Sequence, residues 1–494
     1  MRTRVTSAVG RIATVCALIM TGACASAPAY ETPKAAMAPS FKETPAADST
    51  LGLAWRNAQP QDDRLRPKWW EAFGDPTLNG LEERVAIANP TVAQAAATFR
   101  AARAALREAG ADLYPTVGVT GSASASRQSA NRTETRTVQG APAGATATVS
   151  TVGTVADYLI ESDISYEPDL WGRVHDSIRA GAATAQATAA DLQNTLLSLQ
   201  ADLAVDYVSL RGVDAEVRLL NDAAASYSRA LQLTTNRHDQ GIASGADVAQ
   251  ARAQLETTRV QATDLAIARA QFEHAIAVLT GQPPSALSVE TSTATIAPPA
   301  IPIALPSELL ERRPDIAAAE RRAAAANAEI GVAQAAFYPT LTLTGSAGLE
   351  SAAISTLIDW PSRLWSLGAA VAQTVFDGGR RRAVTDQAVA NFDASVAAYR
   401  QSVLTAFQQV EDNLVALRVL ADEAEEQQAA VDAARQSLAI ANNQYEGGIA
   451  SYLNVITAQN VALTSERDAA DLQTRRLTAS VELVKALGGG WTVR

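Results

Sequence analysis

The stretch Tyr338-Pro339-Thr340-Leu341-Thr342-Leu343-Thr344-Gly345-Ser346, residues 338–346, alternates apolar and hydroxylated side chains directly after a Tyr-Pro pair. A matching stretch begins 224 residues earlier, at Tyr114-Pro115-Thr116, and includes Gly121-Ser122. Alternation with a period of two predicts a strand with one apolar face and one polar face. The recurrence indicates that the chain contains two copies of one structural unit.

Further matches follow, now separated by 207 residues. Gly172-Arg173 recurs as Gly379-Arg380, and the segment 241–244 recurs as 448–451. The first copy therefore carries 17 additional residues between Ser122 and Gly172. Each copy predicts a helix, a strand, a loop, a strand, a very long helix, a tight turn and a helix. We place the first repeat at residues 77–282 and the second at 307–494, with a proline-rich linker at 283–306 between them.

Four strands are expected, and they are listed here by their predicted bounds: Thr116 to Ser126, Tyr158 to Tyr166, Thr340 to Leu349 and Trp365 to Val375. A soluble, half-buried sheet produces such alternation, and so does a membrane barrel between lipid and a water-filled lumen. A barrel must close, and single-chain bacterial barrels have at least about eight strands. In a membrane, four strands per chain therefore require several chains. Trp360 and Trp365 fit either an interfacial aromatic belt or ordinary packing.

Two long helices are predicted from about Asp176 to Arg237 and from about Arg381 to Tyr445, and neither contains a proline. At about 1.5 Å per residue each would be on the order of 90 to 100 Å long. Apolar residues at spacings of three, four and seven predict coiled-coil-like packing. The polar faces of these helices fit an outer solvated surface and a lumen equally well.

The N-terminus has the composition of an export signal, which we place at residues 1–23: arginines, a short apolar stretch and small residues before Cys24. Cys24 is a candidate lipid-accepting cysteine that would anchor an extended segment, residues 24–76. Thr21 departs from the usual aliphatic residue of such a signal. The alternative is ordinary cleavage after Ala25-Ser26-Ala27, which would discard Cys24. Either way Cys16 is lost, so the mature chain has no internal disulfide.

Charge and composition argue against several functions. The formal charge of −11 becomes −14 once Arg2, Arg4 and Arg11 are removed with the signal, which makes nucleic acid an improbable partner. The three histidines are far apart in sequence and form no helical i, i+4 pair, so no metal site is predicted. The chain has no nucleotide, dinucleotide or nucleophile motif. We expect neither a cofactor nor enzymatic activity.

Several phrases together resemble the TolC-like outer membrane factor family, in particular its NodT-type lipoprotein branch. The phrases are Trp69-Trp70 with Phe73-Gly74-Asp75-Pro76, Pro168-Asp169-Leu170-Trp171-Gly172-Arg173, Glu311-Arg312-Arg313-Pro314-Asp315-Ile316, Ala335-Ala336-Phe337-Tyr338-Pro339-Thr340 and Phe376-Asp377-Gly378-Gly379-Arg380. The likeness extends over nearly the whole mature chain.

The resemblance implies an α+β membrane protein: a homotrimer whose four strands per chain form a 12-stranded outer-membrane β-barrel, continuous with a periplasmic α-helical barrel. It implies a palmitate-bearing lipoprotein in the outer membrane of a Gram-negative bacterium. The expected partners are a periplasmic adaptor and an inner-membrane transporter of the resistance-nodulation-division type. They would contact two helix tips: Gly241, Ile242, Ala243 and Ser244, and Gly448, Ile449, Ala450 and Ser451.

Members of this family often carry acidic residues just beyond the tips, where they ring a closed periplasmic mouth. Asp247 follows the first tip, whereas Asn454 and Thr457 stand where the second usually offers aspartate. The candidate gate residues are Asp239, Asp247, Tyr445 and Asn454. For an aspartate near a helix start, capping is an alternative role.

The predicted function is the passive outer-membrane exit duct of a tripartite efflux pump for small molecules. One alternative is the outer-membrane duct of a type I protein secretion system. Another is a periplasmic coiled-coil protein that conducts nothing. The cargo is not encoded in any motif, because such a duct receives what its inner partner has selected.

Overall fold

The computed structural model describes residues 27–34, 41–43, 68–127, 129, 135–137, 146–148, 154–292, 296–299, 301 and 312–489. The predicted signal peptide and Cys24 lie outside these residues. Much of the loop between the first two predicted strands also lies outside them, as does part of the predicted linker.

The first half of the chain forms four helices and four strands among the described residues. They are α1 (Pro76–Ala88), α2 (Pro90–Ala111), β1 (Thr116–Arg127), β2 (Thr135–Thr137), β3 (Thr146–Thr148), β4 (Thr154–Tyr166), α3 (Arg173–Asp239) and α4 (Gly245–Leu279). Asp75 begins α1, where its carboxylate accepts from the backbone N–H groups of Thr77 and Leu78. Asn89 caps α2 in the same way, accepting from Thr91 and Val92.

The second half repeats the larger elements in the same order. They are α5 (Pro314–Ala335), β5 (Thr340–Ser351), β6 (Arg363–Ala372), α6 (Arg380–Glu446) and α7 (Tyr452–Ala486). The predicted order of helix, two strands, very long helix and second helix is confirmed in both halves. Helices α3 and α6 each contain 67 residues, which corresponds to about 100 Å.

Four strands form one antiparallel sheet in the order β1-β4-β5-β6. The pair β4–β5 joins the two halves, because β4 ends the first strand pair and β5 begins the second. The short strands β2 and β3 pair separately, in the long connection between β1 and β4. The sheet therefore contains the four predicted strands in sequence order.

The predicted end of the fourth strand is wrong. Alternation in the sequence predicted a strand to Val375, but β6 ends at Ala372, whose partner is Thr340. Thr340 is the first residue of β5 and follows Pro339, which has no backbone N–H. Beyond Ala372 there is thus no strand to pair with, and the side chain of Gln373 donates instead to the carbonyl of Phe337 at 3.1 Å.

The described residues form two compact units. One draws on residues within 1–30, 103–182 and 324–393, and it contains the four-stranded sheet. The other draws on residues within 31–102, 183–323 and 394–494, and it contains both helix tips. Each unit takes residues from both halves of the chain, so this division does not test the predicted repeat boundaries, which stay a prediction.

In the unit that contains the sheet, the junction between β4 and α3 contacts the junction between α5 and β5. The indole of Trp171 donates to the carbonyl of Pro339 at 2.6 Å. Its ring stacks on Tyr338, with ring centroids 4.9 Å apart. A hydrogen bond and an aromatic contact thus fix the start of α3 against the start of β5.

In the other unit, aromatic residues pack α1 against the middle of α3. Trp69, Trp70 and Phe73 are buried with Leu78, Leu81 and Val85 against Leu203, Tyr207 and Leu210. This cluster is the largest apolar contact described in the unit. The Trp69-Trp70 pair, one of the phrases noted in the sequence, thus belongs to this cluster.

A charged network borders that cluster. Tyr207 donates to Asp75 at 2.5 Å, and Arg211 donates to the hydroxyl of Tyr207 and to Asp214, each at 3.0 Å. Arg269 on α4 donates to the other oxygen of Asp214 at 2.8 Å. Burial, together with the hydrogen bond to Asp75, raises the pKa of Tyr207 to about 12, so the phenol remains a donor. These bonds connect α1, α3 and α4.

Among the described residues, none of the helices is sufficiently long and apolar to cross a lipid bilayer.

Candidate functional site

One face of the sheet is apolar from edge to edge. Paired residues point to the same face, so the pairs Val117↔Ile164, Ile160↔Leu349 and Leu341↔Val371 extend this face across all four strands. Its large side chains are exposed: Val119 to 76% and Leu367 to 81%. Such a continuous exposed apolar surface marks an interaction with lipid or protein.

Ser162 is a polar residue on this face, and its hydroxyl has an internal partner. Ser162 on β4 donates to the carbonyl of Gly118 at 3.2 Å. Trp365 also belongs to this face and is 75% exposed, and Trp360 stands in the β5–β6 connection beneath the guanidinium of Arg363. The assignment of both tryptophans to an interfacial belt stays a prediction.

The opposite face of the sheet is polar. Hydroxyls of β1 and β5 alternate here with four carboxylates on β4 and β5, namely Asp157, Glu161, Asp163 and Glu350. Ser346 and Ser366 hydrogen bond to each other across β5 and β6 at 2.9 Å. The sheet thus has one apolar face and one polar face, as a channel wall between lipid and water requires.

The two predicted helix tips have the same backbone geometry. Gly241 and Gly448 both adopt a φ of 76°, in the left-handed region that glycine tolerates. Ile242 N–H donates to Arg237 O and Ile449 N–H donates to Gln444 O, both at 2.8 Å. These are Schellman turns, in which an apolar residue at this position usually packs back onto the helix. Here that residue is Ile242 in one tip and Ile449 in the other, and both are exposed.

The caps that follow the two tips differ. Ser244 and Asp247 form a reciprocal capping box at the start of α4, in which each side chain accepts from the other's backbone N–H. Ser451 at the start of α7 makes no side-chain cap, and Asn454 is exposed there. The gate candidate Asp247 therefore has a structural role, while Asn454 supplies no such bond.

The tips are connected by Arg237, which no sequence motif predicted. Its guanidinium donates to the carbonyls of Tyr445 at 2.7 Å and Glu446 at 2.8 Å, at the C-terminal end of α6. It also lies 4.9 Å from the ring centre of Tyr445. A cation at the negative end of a helix dipole is stabilising, so Arg237 binds the first hairpin to the second.

Tyr445 is the most buried gate candidate, with 8% exposure. Its ring contacts Tyr452 at 5.2 Å, and its hydroxyl lies 3.4 Å from the hydroxyl oxygen of Thr234 on α3. Asp239 is exposed at the C-terminal end of α3, where the helix dipole disfavours a carboxylate. The structure brings Tyr445 and Arg237 together and leaves Asp239 in solvent.

The sequence contained a signal for Arg237 that only comparison of the repeats reveals. The position 207 residues later is Gln444, so the second tip has no arginine equivalent to Arg237. Glu82 gave no such signal. It is a fully buried carboxylate on α1, next to apolar residues, and burial raises its pKa to about 9.

Within the part of the chain that the structure describes, no group of three His, Cys, Asp or Glu side chains could hold a metal ion. The three histidines lie apart: His175 pairs with Asp169 at 2.6 Å, and His238 contacts the carbonyl of Ala243 at 2.9 Å. His274 lies on α4. The predictions that the chain holds no metal and no cofactor stay predictions.

Comparison with known proteins identifies the family. The profile of a family described as "Outer membrane efflux protein" matches residues 82–282 and 305–489. OprJ, an outer membrane protein of Pseudomonas aeruginosa, is 33% identical over 95% of this chain and 94% of its own. The toluene efflux pump outer membrane protein TtgC of Pseudomonas putida is 32% identical over 95% and 93%.

A solved structure agrees in fold over the same extent. The outer-membrane channel OprN superposes with a TM-score of 0.80 and 31% identity, covering 95% of this chain and 100% of that one. The four-stranded sheet and the long helices are thus the fold of this channel type, as the sequence predicted. The chain belongs to the outer membrane efflux protein family and is an outer-membrane channel component of an efflux pump.

Proposed function

We propose that three copies of this chain close into a 12-stranded barrel in the outer membrane, which continues into a periplasmic helical duct. The observation that carries the proposal is the two-faced sheet: an exposed apolar face opposite a polar face with four carboxylates. A wall between lipid and water needs both faces. Four strands cannot close alone, so copies must share the barrel.

The helix tips are proposed to receive a periplasmic adaptor and an inner-membrane transporter of the resistance-nodulation-division type. Ile242 and Ile449 support this role, because each is exposed at the end of a rigid Schellman turn. Among the other tip residues, Gly241, Ala243, Gly448 and Ala450 serve the turns, and Ser244 and Ser451 stand at the N-caps of α4 and α7.

The mouth of the duct is proposed to open by separation of the two hairpins. Arg237 and Tyr445 support this, because their contacts join the hairpins near the tips and must break if they part. Asp247 and Asp239 would place negative charge close by. Neutralising Asp247 as asparagine should lower the cation preference in planar bilayers, and unaltered selectivity would exclude it from the gate.

The chain is further proposed to be lipidated on Cys24. The backbone N–H of Ala27 donates to the fully buried carboxylate of Asp176 at 2.9 Å, and Arg179 donates to the same group at 2.8 Å. Cleavage after Ala27 would remove that donor, whereas cleavage before Cys24 retains it. Incorporation of labelled palmitate in wild type, but not in Cys24→Ser, is the expected result.

Efflux of small molecules is favoured over protein secretion by the functions of the relatives, which include a toluene efflux pump protein. The cargo of this chain does not follow from those names. The expectation that the chain is not an enzyme also belongs to this proposal, and its membership in a family of channel proteins supports it.

The decisive experiment combines assembly with conduction. The purified mature protein should migrate on gels as a heat-sensitive trimer and should conduct ions in planar bilayers. Deletion of its gene should cause accumulation of a pump substrate that plasmid-borne wild type reverses. A monomer recovered from the soluble periplasmic fraction would overturn the proposal, and a trimer without conductance would favour a structural spacer.

A further inference from the structure

Charged side chains are divided by sign between the two faces of the sheet. Among the described residues of β1, β4, β5 and β6, those on the polar face that carry a charge are all carboxylates. The charged residues that the same strands place on the apolar face are Arg127, the last residue of β1, and Arg363, the first residue of β6. Within these strands the apolar face thus carries only positive charge, and it does so at strand ends.

Both arginines lie at strand ends that join loops. The opposite ends of the strands join the helices, since β4 leads into α3 and β6 leads into α6. In the proposed barrel the helices are periplasmic, so the loop end of the sheet is at the outer surface of the membrane. The apolar face of this end would therefore meet the outer leaflet close to its headgroups.

The side chain of Arg363 is held by an aromatic ring. Its guanidinium carbon lies 3.4 Å from the ring centre of Trp360, and among the described residues the guanidinium contacts no carboxylate. A guanidinium stacked on a ring keeps its N–H groups at its edge, where they can donate to another group. Since Arg363 leaves the sheet on the apolar face, the ring of Trp360 lies on that side as well.

The connection between β5 and β6 is fixed by its own hydrogen bonds. The hydroxyl of Thr356 lies 2.7 Å from that of Ser351, and the carbonyl of Thr356 accepts from the hydroxyl of Ser362 at 2.7 Å. Two apolar side chains of this connection are nevertheless exposed, Ile354 to 70% and Ile358 to 81%. The loop that carries the stacked tryptophan is thus folded, and it presents apolar groups outward.

We propose that the guanidinium of Arg363, held over Trp360, binds the phosphate group of a lipid in the outer leaflet. The inference rests on the proposed barrel and adds a lipid site to its outer end. A guanidinium fork matches the geometry of a phosphate and can donate two parallel hydrogen bonds to it. Tryptophan rings are favoured at the level of the headgroups, where the apolar ring and its N–H group both find suitable surroundings.

A phosphate-bearing lipid accounts for both the sign and the position of this charge. An arginine on the lipid-facing side of a barrel is unfavourable at the bilayer midplane and nearly neutral near an interface. At the interface an arginine attracts anionic headgroups. Carboxylates on the same face would repel such headgroups, and these strands place theirs on the other face. A free phosphate ion would use the guanidinium but not the apolar face around it.

Retention of lipid A by the purified trimer tests the site, because lipid A is a phosphorylated glycolipid of Gram-negative outer membranes. The mature protein is freed of lipid and mixed with lipid A in detergent, and the bound molecules are counted by native mass spectrometry. Arg363→Gln should bind lipid A about fivefold more weakly than wild type. The matched control is Arg252→Gln, at an exposed arginine of α4, and it should bind lipid A as wild type does.

Removal of the phosphate groups from lipid A should weaken its binding to wild type at least as much, and this comparison holds even if Arg363→Gln fails to assemble. Equal binding by intact trimers of wild type and Arg363→Gln would overturn the site and leave the proposed barrel standing. Equal binding of the dephosphorylated lipid by wild type would do the same. Full displacement of lipid A by inorganic phosphate, at an ionic strength that sodium chloride matches without effect, would assign the site to a free anion and overturn the lipid. A wild-type protein without any trimer would overturn both the site and the barrel.

Discussion

At the scale of the residue, Glu82 shows how a charge can be hidden in an otherwise ordinary amphipathic helix. It is fully buried on α1, and neither carboxyl oxygen has a hydrogen-bond partner among the described residues. Burial raises its pKa from 4.5 to about 9, so the folded protein keeps the proton at neutral pH. Above about pH 4.5 the unfolded chain releases that proton and the folded chain does not. Stability therefore falls as the pH rises from about 4.5 to 9.

Glu82→Gln should remove this loss. The amide cannot ionise, so we expect the variant to be more stable than wild type at pH 8, on the order of 1 to 3 kcal/mol. The difference should shrink toward pH 4.5. Thermal unfolding followed by circular dichroism at pH 5 and pH 8 measures it. Glu83→Gln is the matched control, because the exposed Glu83 pairs with Lys68, and an equal gain in that variant would contradict the burial argument.

Arg237 shows how one side chain can couple two elements. Its two bonds to the carbonyl end of α6 are charge-assisted, and the one to Tyr445 is half-buried while the one to Glu446 is exposed. Gln444, at the equivalent position of the other half, does not reproduce them. A substitution here should release the hairpins without disturbing either turn.

We expect Arg237→Ala to increase the open probability or the conductance of single channels in planar bilayers. The reason is that the variant loses the cation that holds the C-terminal end of α6. Arg252→Ala, an exposed arginine on α4 near the same tip, should leave both quantities unchanged. Equal conductance of the Arg237 variant and wild type would show that these bonds do not restrain the mouth.

At the scale of the element, the two hairpin tips differ in how their second helices begin. Helix α4 starts with the Ser244–Asp247 capping box, whereas α7 starts with Ser451 and Asn454 and has no side-chain cap. The missing carboxylate leaves backbone donors of α7 without a side-chain acceptor, although the backbone turns are alike. We therefore expect the start of α7 to open more readily than the start of α4.

Asn454→Asp should restore the second capping box. The expected gain is about 0.5 to 1 kcal/mol, seen as slower amide hydrogen exchange in the first turn of α7. The double variant Ser451→Ala with Asn454→Asp should lose most of this gain, because reciprocal capping requires the hydroxyl. Protection that is unchanged by Asn454→Asp alone would show that another group already satisfies these donors.

At the scale of the whole molecule, a channel forms only if the apolar face of the sheet meets lipid and the polar face meets water. Leu367 and Ala370 are three residues apart on β6, so they lie on opposite faces, and both are exposed. Lipid surrounds the first and water the second in the proposed barrel.

Leu367→Lys should therefore reduce the yield of trimer strongly, because a lysine on the lipid-facing side of a barrel costs about 2 to 4 kcal/mol at the bilayer midplane. Ala370→Lys should assemble normally and change only conductance or selectivity. Gel mobility of unheated protein extracted from outer membranes measures the yield. Equal yields for the two variants would contradict the assignment of the faces.

Much of this architecture could be predicted from the sequence alone. Alternation at residues 116–126 and 340–349 predicted the strands because the period of two is a local property. The absence of proline and the regular apolar spacing predicted the two long helices, which end within three residues of their predicted bounds. Gly241 and Gly448 predicted the turns, because the left-handed conformation favours glycine.

Only the tertiary structure decided which distant groups meet. The end of β6 at Ala372 depends on where its partner strand begins, and Arg237 acts on carbonyls more than two hundred residues away. Burial of Glu82 depends on packing from several elements, so its raised pKa had no local signature. Periodicity is encoded in neighbouring residues, whereas contact and burial arise only when the chain folds and separate segments come together.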